Sequence, residues 1–327
     1  MKVAFVVPVT RPDDARMLAA SLDQRLTRID IDVVMVAESA IPGLPPTARC
    51  IETSERHASV RRNLGVKATT AEWIVFLDDD TLPTDPWFAA LEQAIGGADP
   101  IVTGPTVPMG KSLDERLSDL VTTSSLGEGS MLYGSSDGSS PGFSSIYLCN
   151  CLVKREVWER AGGFNELADW RVDDTEFFYI ALRLGYRPVF RKAFTVRHRR
   201  RGFFHGFLPH QFLARYATGM NTVLFPEIFL RIPGVLAMLL GLALVPALLA
   251  VPRLLYAVLL LYCFVLLLDT FLRIPRDAAA ALLPVCHPIH HVFIATGFTL
   301  GLMHTIFTRG RHRKTLAHRT ERYGAFR

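Results

Sequence analysis

The pattern of apolar and polar positions divides the chain near residue 200 into two very different parts. In the first part, short apolar runs alternate with amphipathic segments: KVAFVVPVT, IDVVMVAES and WIVFL are typical of buried strands, and DDARMLAASLDQRL and ASVRRNLGVKATT of helices. A shorter strand is predicted over residues 50–53. Strands alternating with helices predict an α/β fold with a Rossmann-like, mostly parallel sheet, right-handed crossovers and helices on both faces.

The pattern continues beyond residue 146 with two further strand–helix segments. IYLCNCLVKREVWERAGGFNE predicts a strand and a helix that stops at Gly162 and Gly163. DWRVDDTEFFYIALRLGYRPVF predicts a helix that begins near Asp173 and Asp174, ends at Gly185 and leads into a strand. Acids at a helix start also serve simple capping, because the helix dipole favours negative charge there. The Ser/Gly-rich residues 124–145 between these segments predict a loop, either a binding loop or a plain connector.

Three consecutive carboxylates follow the most apolar of the predicted strands. Asp78, Asp79 and Asp80 come directly after Trp73–Leu77, and prolines then turn the chain. Ligands of open α/β sheets bind at the carboxyl ends of the strands, and clustered carboxylates there need positive charge. The two-residue period places Asp78 and Asp80 on one side and Asp79 on the other. A divalent cation carrying a phosphate ester explains the group; a solvated acidic turn is the alternative.

The second part of the chain is overwhelmingly apolar and predicts membrane-spanning helices. Residues 229–252 and 253–272 are each long enough to cross a bilayer, and residues 287–307 form a third, less apolar segment with four histidines. We therefore divide the chain into a catalytic domain (1–203), an amphipathic connector (204–228), a transmembrane region (229–308) and a basic tail (309–327). The connector is either an interfacial helix or a packing helix beneath the sheet.

Charge and cysteine content indicate how such a protein is placed. The net charge of +5 arises largely from clusters at 197–201 and 309–314, which favour the cytoplasmic face and anionic membrane lipid. No nucleic-acid motif accompanies them. Two cytoplasmic clusters are incompatible with three full crossings, so we expect two spans plus a re-entrant or interfacial third segment. The five cysteines lack a zinc pattern and indicate reduced thiols, and no cleaved signal peptide is apparent. We predict a multi-pass cell-membrane protein with a cytoplasmic catalytic domain.

Four segments, taken in order, resemble a family 2 glycosyltransferase of the GT-A fold. They are VVPVTRP, SVRRNLG, WIVFLDDD, and CNCLVKREVWERAGGFNE running into VDDTEFFYIALRLGY. Together they cover most of residues 1 to about 200. Each segment alone is a weak indication of the family, but the order and spacing of the four segments are those of the family.

The resemblance implies a role for each matching residue. The acidic strand corresponds to a DxD-type motif that holds the nucleotide and a Mg²⁺ or Mn²⁺ ion. Metal ligands on this pattern are Asp78, Asp80 and, where some members place a residue near the diphosphate, His198. Asp174 matches the general base, preceded by Asp173 where the family usually has Glu, and Glu176 matches a later acid. Donor-binding positions implied by the pattern are Pro8, Thr10, Arg11, Glu38, Arg62, Asp78 and Asp79, with Asn63 and Gly65 shaping the helix of Arg62.

Two departures from the family pattern bear on specificity. Relatives usually end the second strand in an Asp that contacts the base, whereas this chain has Ala37, Glu38 and Ser39. The sequence RHRRRG lacks the Trp of the Gln/Arg-x-x-Arg-Trp element, which argues against a processive polysaccharide synthase. Transfer of one sugar per encounter is favoured.

The resulting hypothesis is a membrane-associated, inverting, metal-dependent transfer in cell-envelope glycan synthesis. The donor is a nucleotide-diphosphate sugar of UDP, GDP or dTDP type, and the acceptor is a lipid-linked or polysaccharide hydroxyl. A carboxylate that takes the acceptor proton and cations that stabilise the leaving group suit this chemistry. Two alternatives stay open: a polyprenyl-phosphate sugar synthase, and a non-catalytic nucleotide-sugar-binding membrane scaffold.

Overall fold

The computed structural model of the chain describes residues 2–124, 126–127, 136–166 and 173–308. These residues form two compact units. The first contains residues 2–109, 136–166 and 173–199, and the second contains residues 110–127 and 200–308 within the described ranges. The predicted basic tail, 309–327, lies outside the described residues, as does part of the Ser/Gly-rich loop.

A mixed seven-stranded sheet organises the first unit. Its strands, in chain order, are β1 (Lys2–Pro8), β2 (Asp30–Ala37), β3 (Ala48–Glu52), β4 (Trp73–Leu77), β6 (Ile101–Thr103), β8 (Asn150–Lys154) and β9 (Pro188–Phe190). They are ordered β3-β2-β1-β4-β8-β6-β9. The first four are parallel, β8 is antiparallel to both its neighbours, and β6 and β9 are parallel. The predicted mostly parallel sheet is confirmed, with β8 as its exception.

A second, three-stranded sheet lies at the carboxyl end of β4. It contains β5 (Thr81–Pro83), β7 (Thr106–Pro108) and β10 (Val196–His198), ordered β5-β10-β7. Strand β5 starts just after the acidic residues, and β10 runs antiparallel to it, with His198 opposite Thr81.

The helices of the first unit cover the large sheet. They are α1 (Pro12–Arg25), α2 (Ala58–Lys67), α3 (Asp85–Ile95), α5 (Arg155–Arg160) and α6 (Asp173–Arg183), given in chain order with α4 in the second unit. Side chains of α1 and α3, such as Leu18 and Leu91, form one core with alternate residues of the strands. Trp73, Val75 and Leu77 of β4 belong to this core, and Phe76 points to the opposite face, where it packs edge-on against Phe164. Strand β4 is thus buried on both faces, as a central strand requires.

The second unit is helical. It contains α4 (Leu113–Thr123), α7 (Leu208–Leu224), α8 (Pro226–Phe229), α9 (Pro233–Ala250), α10 (Pro252–Arg273) and α11 (Leu283–Thr308). Helix α4 begins with a capping box in which Ser112 and Glu115 bond each other's backbone N–H. Arg116 on α4 makes two hydrogen bonds to the carboxylate of Asp277, just before α11. The grouping of α4 with the apolar helices is not apparent from its sequence.

Among the described residues, three helical segments of the second unit are long and apolar enough to span a membrane: Pro233–Ala250, Pro252–Arg273 and Ala278–Thr308. In an apolar 18-residue stretch of each, 6%, 11% and 33% of the residues are buried, in that order. Unburied leucine-rich helices of this kind fit membrane anchoring, because in water they would expose a large apolar surface.

Helix α7, which contains most of the predicted connector, packs closely along α11. A Cβ added at Gly219 would lie 2.1 Å from the carbonyl oxygen of Phe298, and one at Gly301 would lie 2.0 Å from that of Tyr216. Glycine therefore allows the two backbones to touch, as small residues do between membrane helices. The connector therefore packs along α11, and its interfacial position stays a prediction.

Candidate active site

The side chains of the acidic residues after β4 point in two different directions, as their spacing predicts. Asp79 turns toward the loop after β1, where its Oδ2 accepts hydrogen bonds from the backbone N–H of Thr10 (2.5 Å) and Arg11 (2.6 Å) and from the Thr10 hydroxyl (3.1 Å). Only 5% of Asp79 is exposed. Burial raises the pKa of its carboxyl, although the two backbone N–H groups act in the opposite sense. Asp79 therefore holds the turn that the resemblance assigns to the nucleobase.

Asp78 and Asp80 converge with His198 on a single point. One possible ligand atom from each of the three residues lies within 4.8 Å of the others. His198 Nε2 is 3.1 Å from Asp80 Oδ1. The short sheet explains this approach, because β10 pairs with β5 and the backbone N–H of Arg199 donates to the carbonyl of Asp80 (2.9 Å).

Two arginines balance the charge of these carboxylates. Arg62 Nη2 donates to Asp78 Oδ1 (3.0 Å), and Arg11 Nη1 donates to Asp80 Oδ2 (3.0 Å). Burial acts to raise the pKa of Asp80, but the hydrogen bond from His198 and the charges of His198 and Arg11 outweigh it and lower that pKa. Asp80 is accordingly held as a carboxylate, the form that ligates cations.

Helix α2 brings Arg62 to the site by packing tightly on the sheet. A Cβ at Gly65 would lie 2.5 Å from Val6 Cγ1, so only glycine permits this approach. Asn63 donates through Nδ2 to the carbonyl of Phe164 (2.8 Å) and accepts at Oδ1 from its backbone N–H (2.9 Å). The helix is thereby fixed to the segment after α5, and only 7% of Arg62 is exposed.

The candidate base, Asp174, lies in the first turn of α6. Its Oδ1 accepts from the backbone N–H of Thr175 (2.7 Å). Phe177, one turn along α6, packs on Phe164, which packs in turn on Phe76 of β4. Helix α6 therefore lies on the face of the sheet that Phe76 and, two residues on, Asp78 share.

The thiol of Cys151 links Asp174 to β4 independently. Cys151 of β8 is paired with Phe76 in the antiparallel ladder. Burial raises the pKa of the Cys151 thiol, and the negative charge of Asp174 adds to this effect. The charge of Asp174 thus acts on a thiol whose strand position is opposite Phe76, near the end of β4 that carries the acidic residues.

The remaining predicted residues are less closely tied to this group. Pro8 ends β1, immediately before the turn at Thr10. Glu38 is exposed and forms a 3.3 Å ion pair with Arg56. Glu176 is buried and accepts a hydrogen bond from Asn165 Nδ2 (2.9 Å), which indicates a structural contact.

Comparison with known proteins agrees with this architecture. Residues 32–147 match the sequence model of the family described as glycosyl transferase family 2. The chain matches none of the curated protein sequences. Among solved structures it is similar to the mannosyltransferase PcManGT from Pyrobaculum calidifontis, in complex with GDP-Man and Mn2+, with a TM-score of 0.55 and 17% identity over 89% of this chain and 86% of that one.

Residues 32–147 thus carry the sequence pattern of glycosyl transferase family 2. The chain has a GT-A-like fold and is an enzyme of the glycosyltransferase class, and its carboxyl-terminal apolar helices fit membrane anchoring.

The glycosyltransferase domain also depends on residues that sequence reasoning missed. Arg61, next to the predicted Arg62, is 4% exposed; its Nη1 donates to the carbonyl of Val9 (2.5 Å) and its Nε to that of Glu55 (2.6 Å). It thus braces the turn after β1 from behind. Asn150 is fully buried, donates to the carbonyl of Phe194 (2.7 Å) and accepts from Trp87 Nε1 (2.9 Å). The adjacent arginines in SVRRNLG are a sequence signal for Arg61, whereas the segment CNCLVKREVWERAGGFNE contains Asn150 without singling it out.

The donor atoms of this glycosyltransferase site suit a hard divalent cation. Two carboxylates and an imidazole converge, and carboxylate oxygens are the ligands that Mg²⁺ and Mn²⁺ prefer. Their present partners, Arg11, Arg62 and His198, show that the carboxylates require positive charge. The residues therefore fit the ion that the family implies.

Proposed function

We propose that the chain transfers a single sugar, with inversion, from a nucleotide-diphosphate sugar to a hydroxyl of a lipid-linked or glycan acceptor. The observation that carries the proposal is the convergence of Asp78, Asp80 and His198 at the end of β4, on the sheet face that also carries α6 and Asp174. Asp78, Asp80 and His198 would hold a Mg²⁺ or Mn²⁺ ion. When bound, this ion supplies positive charge to the diphosphate.

The residues of the chain account for the rest of the transfer. Asp174 takes the proton as the acceptor oxygen attacks the anomeric carbon, and the bond from that carbon to the diphosphate breaks. The nucleoside diphosphate leaves with the electron pair. Arg11 and Arg62 stabilise the developing charge, and Asp79 holds the turn under the base.

The membrane helices support a lipid-linked acceptor and a membrane location. Helices α9 and α10 expose large apolar side chains over most of their length, including Leu240, Leu260 and Phe271. An enzyme held at the bilayer by such helices meets acceptors that are themselves confined to it. A cytoplasmic catalytic domain is part of the proposal, because the basic cluster at 197–201 favours the cytoplasmic face.

The experiment is donor binding by the full-length protein in detergent. The thermal unfolding midpoint is measured with UDP, GDP and dTDP sugars, with Mn²⁺ or with EDTA. A donor that binds the folded state raises the midpoint, by an amount equivalent to about 2.7 kcal/mol at one hundred times its Kd. We expect one nucleotide class to do so with Mn²⁺ and the effect to disappear with EDTA.

Asp80→Asn is the site variant and Glu92→Gln, an exposed acid on α3, its matched control. Asp80→Asn should lose the Mn²⁺-dependent shift, whereas Glu92→Gln should keep it. No shift with any of the three nucleotides, or a full shift in Asp80→Asn, rules the proposal out. Donor hydrolysis or transfer in the wild type separates an enzyme from a nucleotide-binding scaffold.

A further inference from the structure

Three histidines meet inside the second unit, on the first half of α11. One ring nitrogen from each of His287, His290 and His291 lies within 4.8 Å of the others. Their spacing places them on one face of the helix over a single turn. His287 is fully buried, His290 is 3% exposed and His291 is half-buried, so most of the group lies inside the helical unit.

The hydrogen bonds of this group are incomplete in a specific way. Neither ring nitrogen of His290 has a hydrogen-bond partner, and Nδ1 of His287 has none. Buried polar groups in folded proteins are nearly always paired, and each exception needs an explanation. His287 and His290 can therefore each offer one ring-nitrogen lone pair to a ligand in this cluster.

The outer hydrogen bonds orient the other two rings for such a ligand. Nε2 of His291 is 3.0 Å from the carbonyl oxygen of Leu126, which can only accept, so Nε2 carries the hydrogen and Nδ1 holds the lone pair. Nε2 of His287 is 3.0 Å from the Ser124 hydroxyl, and in the tautomer in which Nε2 donates to that hydroxyl, Nδ1 holds the lone pair. Metal-binding histidines characteristically donate their second ring N–H in this manner.

Oxygen atoms beside the rings complete the surroundings. With that tautomer of His291, the Tyr262 hydroxyl on α10 donates to Nδ1 of His291 (3.0 Å), a hydrogen bond that a metal ion bound at Nδ1 would replace. Asp269 Oδ2 is 4.0 Å from Nε2 of His287 and receives a 3.0 Å hydrogen bond from Arg273. The carboxylate of Asp269 thus balances the charge of Arg273 within the same cluster. The Arg273 guanidinium also donates to the carbonyl of Thr123 (3.1 Å).

We propose that His287, His290 and His291 bind a Zn²⁺ ion, with the Tyr262 hydroxyl beside the fourth position. Imidazole nitrogen suits Zn²⁺ far better than Mg²⁺, and three histidines plus one oxygen are a common zinc set. Zn–N bonds would draw the nitrogens to roughly 3.3 Å from one another, a small rotation of the rings. The site shares no residue with Asp78, Asp80 and His198 and does not rest on the proposed sugar transfer.

A zinc ion here would have a structural consequence. It would join α11 and α10 to the segment after α4 that carries Ser124 and Leu126. These three parts are distant in sequence and already meet through the hydrogen bonds of His287, His291 and Arg273 described above. Zinc removal should therefore lower the thermal stability of the helical unit.

The test uses full-length protein in detergent, in an Asp80→Asn background that removes the other candidate metal group. After chelation and dialysis, the protein is equilibrated with Zn²⁺ and the bound metal is measured by mass spectrometry; Co²⁺ replaces Zn²⁺ for visible absorption. We expect about one Zn²⁺ per chain and a Co²⁺ band of tetrahedral strength. Zn²⁺ should also raise the thermal midpoint.

Variants assign the binding to these residues. His290→Gln should lower Zn²⁺ affinity at least tenfold and abolish the Zn²⁺-dependent rise in midpoint. His304→Gln is the matched control, because His304 lies on the same helix and its Nδ1 is bonded to the Tyr216 hydroxyl. Failure of the background protein to retain Zn²⁺, or equal retention by His290→Gln, overturns the proposal. The first outcome does not depend on how any histidine variant folds.

Discussion

At the scale of single residues, the hydrogen-bond and ion-pair partners of each aspartate determine its place in the site. Asp78, Asp79 and Asp80 are chemically identical and adjacent, yet Asp79 bonds the turn after β1 while the other two meet His198. The alternation of the chain separates them, and that much follows from spacing alone. The partner of Asp80 does not, because His198 comes from a strand more than one hundred residues away.

Asp174→Asn tests the base at this scale. Asparagine keeps an oxygen that accepts from Thr175 N–H, so the start of α6 should remain intact. Loss of the general base should lower kcat about 10²- to 10⁴-fold while donor binding is unchanged. The measurement is steady-state transfer together with donor Kd, and Glu159→Gln serves as an exposed control. Normal turnover in Asp174→Asn refutes its role and favours a phosphate acceptor, as in polyprenyl-phosphate sugar synthases.

At the scale of elements, close packing is set by small residues and buried charges. Gly65 lets α2 approach β1, and glycines on both α7 and α11 let these two helices touch. The strands β2 and β3 are joined in addition by a charge pair at their amino ends. These contacts join residues that are far apart in the sequence, and hydrophobic periodicity along the chain predicts none of them.

Gly301→Leu should disrupt the contact between α11 and α7. The new side chain would begin 2.0 Å from the Tyr216 carbonyl, so the helices must separate. We expect a destabilisation of about 1–3 kcal/mol, the usual cost of overpacking, seen as a lower thermal midpoint in detergent. Gly241→Leu on α9 is the control, because nothing lies within 4 Å of its Cβ position. Equal midpoints for the two variants would contradict the packing described.

The pair between Asp32 on β2 and Arg49 on β3 predicts a dependence on pH. Burial acts to raise the pKa of Asp32, but hydrogen bonds from Arg49 and Thr69 and the charges of Arg49 and Lys2 lower it. Because the folded pKa is the lower one, ionised Asp32 stabilises the fold above the unfolded pKa of about 3.9, and this contribution is lost as pH falls through the folded value.

Arg49→Met should therefore lower the thermal midpoint at pH 7, and by less at pH 3. The expected loss of stability at pH 7 is about 1 kcal/mol. Arg56→Met, which removes only an exposed pair with Glu38, should leave the midpoint nearly unchanged at either pH. A deficit in Arg49→Met that is the same at pH 3 and pH 7 would show that packing, and not the Asp32 charge, is responsible.

At the scale of the whole molecule, a glycosyltransferase domain and a helical unit with exposed apolar helices share one chain. The third apolar segment is distinct, since 33% of the residues in its apolar 18-residue stretch are buried and it carries the histidine cluster. Its burial against α7 agrees with a helix that needs protein contacts as well as lipid. The domain boundaries at 203 and 228 and the number of crossings stay predictions.

Membrane topology follows from the basic clusters and is open to direct measurement. With two full crossings, a tag after Arg327 should be cleaved by protease in inverted membrane vesicles and resist protease added to intact cells. A tag on the amino terminus should behave in the same way. Cleavage of the carboxyl-terminal tag only from outside would instead establish three crossings.

The sequence by itself determined the alternation of strands and helices, the buried strand Trp73–Leu77 with both of its ends, and the apolar helices. Each of these follows from local periodicity, which the chain carries whatever its tertiary contacts. Tertiary structure alone decided the antiparallel insertion of β8, the approach of His198 to Asp80, the brace formed by Arg61, and the unpaired nitrogens of His290. Such features depend on residues far apart in the chain, whose proximity no local pattern encodes, because it arises only when the packed sheet and helices bring them together.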